Sequence, residues 1–232
     1  RPQALLPLAL LAGLATFNRM DTLLLYLPAL LSVWWSQRST RTLGTLVLGF
    51  VPFVLWECFA IIYYGFPFPN TAYAKLGAGP SNGERILLGI YYALNSLQFD
   101  PLTLGTLAAS LALVVWKRKV HLLPLALGAI LYILYTVRIG GDFMSGRFFT
   151  APYLVAVALL LHIDLLPRGR AWLVAPGLVL ALALLSPHPP LLNGPAYGKG
   201  YQSDPSYAGH GVDERAFYHP YTGLLNAIAQ PD

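Results

Sequence analysis

Residues 117–147 read KRKVHLLPLALGAILYILYTVRIGGDFMSGR, and the order of residue types in that stretch decides the fold. A basic triplet, Lys117, Arg118 and Lys119, precedes an apolar run at 122–137. A glycine-rich loop carrying Arg138, Asp142 and Arg147 follows it. An apolar run of this kind approaches the ~20 residues that cross a bilayer's hydrocarbon at ~1.5 Å rise per residue. Cations at one end and a mixed polar loop at the other are what a membrane-threading helix carries.

The rest of the chain repeats that pattern. Of 232 residues, 56% are hydrophobic and only 11% charged, too little charge to cover a water-soluble globule of this size. The net charge of +5 is not a nucleic-acid footprint, because the basic residues are dispersed among apolar runs instead of forming one polar stripe. The single cysteine, Cys58, permits no intrachain disulfide and reads as a small core residue. The chain opens on Arg1 with no signal-peptide pattern, and it is expected to begin within a longer protein.

Seven apolar segments stand out, at 2–17, 22–35, 43–64, 102–116, 122–137, 148–165 and 171–186. Several are short for a full crossing, which would draw flanking residues such as Arg19 and Arg138 to membrane depth. Three short loops, 36–42, 117–121 and 166–170, hold basic residues and no acidic ones, so the positive-inside rule assigns them to the cytoplasm. The same rule puts 18–21, 65–100, 138–147 and 187–232 outside, together with every acidic side chain except Glu57 and Asp164.

The expected fold is an all-α, polytopic integral membrane bundle of about seven transmembrane segments, spanning residues 1–186 with exterior loops at 65–100 and 138–147. Residues 84–97 differ from the crossing segments. Ile86, Ile90 and Leu94 make one apolar face, and Ser81 with Glu84 has capping-box spacing, which predicts an amphipathic helix on the outer surface. An eighth crossing there would break the alternation of loop charges. The segment 187–232, rich in Pro, Gly and Tyr, is read as exterior.

Four polar constellations could carry chemistry. In FNRMDTLLLYLP, Arg19 and Asp21 lie between two short apolar helices. Two readings stand: Arg19 grips an anionic head group with its planar guanidinium, or it forms an ion pair with Asp21. In GFPFPNTAYAKLG, Pro67 and Pro69 hold Asn70, Tyr73 and Lys75 at the lipid boundary. That loop lines a substrate or is a stiff connector, with Phe66, Phe68 and Tyr73 as an aromatic belt.

TVRIGGDFMSGRFFTAP is the densest signal. Gly140, Gly141 and Gly146 permit close backbone approach, and Arg138 and Arg147 bracket Asp142. Two arginines around one carboxylate can pair with it and leave positive charge for a phosphate; alternatively Asp142 only neutralises them and holds the loop. The fourth constellation, GVDERAFYHPYTGLL, collects Asp213, Glu214, Arg215, Tyr218 and His219, which suit sugar hydroxyls. The histidines His121, His162, His188 and His210 have no metal-ligand spacing. Glu57 is an intramembrane carboxylate with either a packing or a functional role.

These four stretches together resemble the GT-C class of bacterial membrane glycosyltransferases, and within it the actinobacterial terminal β-(1→2)-arabinofuranosyltransferases of cell-wall arabinan. The resemblance runs through most of the chain. It implies an enzyme that takes a sugar from a polyprenyl-phosphate donor, arabinofuranose from decaprenyl phosphate, to a glycan acceptor at the exterior face of the plasma membrane. It also implies that the main catalytic aspartate lies in an exterior loop upstream of Arg1, and that a C-terminal exterior domain continues past Asp232. Asp142 is then second choice as base. Arg19, Arg138, Arg147 and Lys75 become candidates for the donor phosphate. Asp21, Asn70, Asp213, Glu214, Arg215, Tyr218 and His219 become candidates for substrate binding.

No cofactor is implied; a divalent metal is compatible with the class, but no residue pattern indicates one. The partners implied are the lipid-linked donor, the acceptor and the bilayer, with no nucleic acid. A transporter or lipid flippase is the alternative. It would predict pseudo-symmetric halves and polar residues near the midplane, where only Glu57 lies deep in an apolar run. The glycosyltransferase reading expects Arg19, Asp142, Arg147 and residues 213–215 on one non-cytoplasmic rim.

Overall fold

Each of the apolar runs contains helix in the structure, a computed structural model that describes residues 4–70, 72–73, 80–163, 174–184 and 218. Among the described residues there are nine α-helices. In chain order they are α1 (Leu5–Asn18), α2 (Leu23–Gln37), α3 (Thr40–Gly49), α4 (Val51–Tyr64), α5 (Asn82–Phe99), α6 (Pro101–Trp116), α7 (Leu123–Arg138), α8 (Thr150–Leu161) and α9 (Val174–Leu184). Short 3₁₀ turns at Met20–Thr22, Val120–Leu122 and Arg147–Phe149 lead into α2, α7 and α8. Leucine and alanine dominate these segments and favour helix, which bonds every interior backbone group within its own segment.

The membrane-crossing capacity is narrower than the number of apolar runs. Val120–Arg138, 19 residues with mean hydropathy 2.0, is the one described helix long and apolar enough to cross a bilayer. The pairs α3–α4 and α5–α6 qualify only if each bent pair is taken as one span, with bends of 52° and 105°. Leu5–Asn18 and Arg147–Leu161 are apolar but shorter.

The run 43–64, read from sequence as one segment, is therefore two helices that meet at Phe50. Pro52 lies at the start of α4 and has no N–H to return to the carbonyl one turn earlier, so an unbroken helix cannot pass through it undistorted. The sharper α5–α6 bend has a similar cause. Pro101 opens α6, and Asp100 caps it by accepting the Thr103 N–H at 3.3 Å.

The chain folds as two compact units. The first comprises residues 1–80, 110–135 and 154–163, and the second 81–109, 136–153 and 164–232. In the first unit α1 packs on α3 through Ala9, Gly13 and Gly49. A Cβ on either glycine would run into the facing helix, so only hydrogen at these positions allows the approach. The outward surface is apolar instead of polar: Ile62 is 85% exposed, Leu161 81% and Leu154 70%. Such a surface suits hydrocarbon better than water. Cys58, expected in the core, is exposed on α4. In an apolar surrounding a thiol loses nothing by facing outward.

The second unit is built on α5. Its predicted capping box is present: the Ser81 N–H donates to Glu84 Oε2 at 2.7 Å, and the Glu84 N–H donates to Ser81 Oγ at 3.4 Å. The predicted apolar face, Ile86, Ile90 and Leu94, is exposed, while Gly89, Tyr92 and Ser96 on another stripe are buried.

Candidate functional site

The first polar cluster belongs to the first unit and is set by a close crossing of α2 and α7. A Cβ on Gly128 would collide with the backbone of Leu25, so the two helices touch there. One turn along α7 from Gly128 stands Tyr132, and four residues before Leu25 stands Asp21. The Tyr132 hydroxyl donates to Asp21 Oδ2 at 2.9 Å. Arg19 completes the group: its Nε donates to Asp21 Oδ1 at 3.1 Å, and its Nη2 pairs with Oδ2 and donates to Tyr132 Oη at 3.1 Å.

Of the two readings of Arg19, the structure contains the ion pair. The Asp21 side chain is 9% exposed and that of Arg19 32%, so the pair is partly shielded from solvent. The hydrogen bonds that Arg19 donates to Asp21 hold its guanidinium above the ordinary value, with burial opposing and Tyr132 adding to the rise. Arg19 is a permanent, oriented cation. Its backbone is fixed as well, because Arg19 O accepts from Thr22 Oγ1 at 2.7 Å and from the Thr22 N–H at 3.0 Å.

The second cluster belongs to the second unit and is organised by Tyr92. Gly140 and Gly141 have φ of 86° and 69°, left-handed values that turn the chain directly after α7. A Cβ on Gly141 would enter the Tyr92 ring, and one on Gly89 would enter the backbone of Val137. The Tyr92 hydroxyl donates to Met144 O at 3.1 Å and accepts from the Phe148 N–H at 3.0 Å, with its ring centroid 5.2 Å from that of Phe149. Ser145 Oγ adds a bond to Asn95 Oδ1 at 2.6 Å. The glycine-rich loop is thus tied to α5 at both ends.

That loop presents Arg147. Its Nη1 lies 3.3 Å from Asp142 Oδ2 and 3.3 Å from Met144 Sδ. The two partners differ in access: the Asp142 side chain is 5% exposed and that of Arg147 52%. The expected pairing of two arginines with Asp142 is corrected here. Arg138 ends α7, exposed, and among the described residues only Arg147 makes an ion pair with this carboxylate.

Asn70 is exposed, and Phe66 and Phe68 flank Tyr73 with ring centroids at 5.5 and 6.1 Å, an aromatic cluster of the belt type. Tyr218 is exposed. Lys75, Asp213, Glu214, Arg215 and His219 lie outside the described residues. Glu57 is half-buried, with Oε1 making no hydrogen bond among the described residues. Among those residues no three His, Cys, Asp or Glu side chains gather as metal ligands. Sequence reasoning missed Tyr92 and Tyr132. The signal for each was a tyrosine three or four residues after a glycine on a helix, Gly89 to Tyr92 and Gly128 to Tyr132.

No protein-family profile matches the chain, and no solved structure does. Two curated proteins do. Aligned over 259 positions with a protein of Mycobacterium tuberculosis, the chain is 29% identical across 97% of its own length, and that protein is a terminal β-(1→2)-arabinofuranosyltransferase. The chain resembles these arabinofuranosyltransferases. A terminal β-(1→2)-arabinofuranosyltransferase of Corynebacterium glutamicum is 29% identical over 238 positions, covering 93% of the chain. The chain spans 40% and 33% of the lengths of these two arabinofuranosyltransferases. The similarity therefore covers both arginine clusters of this chain and leaves more than half of each relative unmatched.

Proposed function

We propose that this chain is a membrane-embedded portion of a glycosyltransferase. It moves a sugar, arabinofuranose by likeness to its relatives, from a polyprenyl-phosphate donor to a cell-envelope glycan at the outer face of the plasma membrane. The observation that carries this reading is the similarity to two arabinofuranosyltransferases along more than nine-tenths of the chain. The loop charges support the orientation, because 36–42 and 117–121 hold basic residues and no acidic residue of their own, which by the positive-inside rule favours 18–21 and 138–147 on the opposite face. About seven crossings follow from the same alternation. The 105° bend between α5 and α6 suits a helix that lies along the surface before the chain turns inward.

Two arginines held in fixed positions suit this chemistry. A sugar leaving a phosphate departs from an anion that is already stable, so the demand is for cations aimed at the developing charge, with a carboxylate to take the acceptor's proton. Arg19 is aimed by Asp21 and Tyr132, and Arg147 by Asp142 and by the tyrosine-pinned loop. In this scheme Asp21 and Asp142 are positioning residues. Buried and ion-paired, Asp142 is poorly placed to accept a proton, which keeps it behind an upstream aspartate as general base. Lys75 and Arg138 are further cations for the donor. Asn70, Asp213, Glu214, Arg215, Tyr218 and His219 are contacts for sugar.

Transfer from polyprenyl-phosphate arabinose, measured in membranes carrying each variant, tests these roles. Arg19→Ala and Arg147→Ala are expected to lower turnover about 10²-fold, the usual cost of removing one aimed donor from a transition state. Full activity in either variant would remove that arginine from the scheme.

A further inference from the structure

We propose that the first unit binds an anionic glycerophospholipid, its acyl chain in the groove between α2, α6 and α7 and its phosphate on the cations at the groove's end. This inference rests on the membrane reading above and is independent of the sugar-transfer chemistry. The groove has a volume of about 650 Å³, within the ~300–1,000 Å³ of small-ligand sites. Its lining includes Leu31 of α2, Leu111 and Val115 of α6, and Leu123 and Leu127 of α7, and contains no charged or hydrogen-bonding side chain. A sugar or a phosphate would be left unpaired there, whereas a hydrocarbon chain would not.

The helices that form the groove carry cations at the same end. Val115 is followed two residues on by Lys117 and then by Arg118 and Lys119. Leu123 begins α7 directly after those residues and the Val120–Leu122 turn. Leu31 lies seven residues before Arg38, about 10 Å along α2 at ~1.5 Å per residue. The segments 36–42 and 117–121 contain no acidic residue of their own.

Tryptophans mark the depth. Trp35 and Trp116 are 64% and 75% exposed, with Arg38 Cζ 4.7 Å and Lys117 Nζ 5.1 Å from their ring centroids. An exposed indole beside a cation is the arrangement of a membrane–water interface, where a phospholipid's phosphate lies. Backbone conformation adds a second argument. Arg38 and Arg118 have φ of 43° and 50°, left-handed positions that favour glycine. Arginine at both fits a requirement for charge at that end of the groove.

The same backbone feature supplies the test, because Arg38→Gly with Arg118→Gly removes two cations while relieving both left-handed positions. Wild-type and doubly substituted protein are reconstituted in phosphatidylcholine vesicles containing a brominated-acyl lipid, either phosphatidylglycerol or phosphatidylcholine, in equal amounts. With phenylalanine at Trp34, Trp56 and Trp172 in both proteins, so that Trp35 and Trp116 are the remaining two of the five tryptophans, quenching then reports which acyl chains sit beside them. Wild-type protein is expected to favour phosphatidylglycerol by about fivefold or more, and the double variant to lose most of that preference. Equal quenching of the wild type by the two lipids overturns the proposal, as does a preference unchanged in the double variant. Recovery of the wild-type protein from the aqueous fraction, without vesicles, would overturn the membrane reading and this proposal with it.

Discussion

Tyr132 donates a hydrogen bond to Asp21 at 2.9 Å across the α2–α7 crossing, more than a hundred residues away along the chain. That bond converts a local pair, Arg19 and Asp21, into a three-membered network fixed to the helix most capable of crossing a membrane. The network explains how a cation near the end of α1 keeps one orientation.

Tyr132→Phe removes the hydroxyl and leaves the ring. Hydrogen bonds to charged groups contribute about 1.5–3 kcal/mol, so the loss in sugar transfer is expected to be about tenfold or more. A double-mutant cycle with Asp21→Asn checks the assignment: coupled losses, smaller together than the sum of each alone, are expected from a shared network. Strict additivity would mean that the hydroxyl acts elsewhere.

The two loop glycines separate backbone conformation from space. Gly141 and Gly146 both have positive φ, at 69° and 72°, but a Cβ on Gly141 meets Tyr92 whereas one on Gly146 meets nothing within 4 Å. Gly146→Ala is expected to cost about 1–2 kcal/mol, the left-handed penalty alone. Gly141→Ala is expected to cost clearly more, read as a larger fall in the thermal midpoint of the detergent-solubilised protein. A reversed order would contradict the packing of Tyr92 against the loop.

The capping box predicts an acid-sensitive helix start. The hydrogen bonds from Ser81 hold the Glu84 carboxyl below its ordinary value of 4.5. A carboxyl lowered in the folded state contributes stability above its unfolded value, and the contribution is lost as pH falls through the folded one. Amide exchange at Ser81 and Glu84 is therefore expected to accelerate on acidification below 4.5, relative to exchange at the centre of α5. Glu84→Gln, which can still cap but does not titrate, should abolish that dependence.

Much of the fold was legible because apolar runs and helix-start chemistry are local. Ser81 with Glu84 announces α5, whereas the bends that Pro52 and Pro101 mark emerge only in the structure. The packed face of α5 was hidden for a physical reason. In water a helix turns its apolar stripe inward, but beside lipid Ile86, Ile90 and Leu94 can face outward while Gly89, Tyr92 and Ser96 make the protein contact. The same inversion put Cys58 on the surface.

In the candidate site, charged residues close in sequence were visible as pairs: Arg19 with Asp21, and Arg147 with Asp142. The tyrosines that aim them come from helices distant in sequence, and no local spacing specifies a hydrogen bond between residues 21 and 132. The break between Arg138 and Asp142 was also unreadable, because it depends on where the turn at Gly140 and Gly141 sends the chain.

The most direct measurement follows the label of polyprenyl-phosphate arabinose, radiolabelled in the sugar, in membranes containing the protein expressed from its natural reading frame. Label is predicted to leave the lipid fraction and enter a glycan acceptor, at a rate that falls sharply with Arg19→Ala. If labelled donor stays intact while proteoliposomes of the same protein carry free sugar across the bilayer, glycosyl transfer is contradicted and the chain is a transporter.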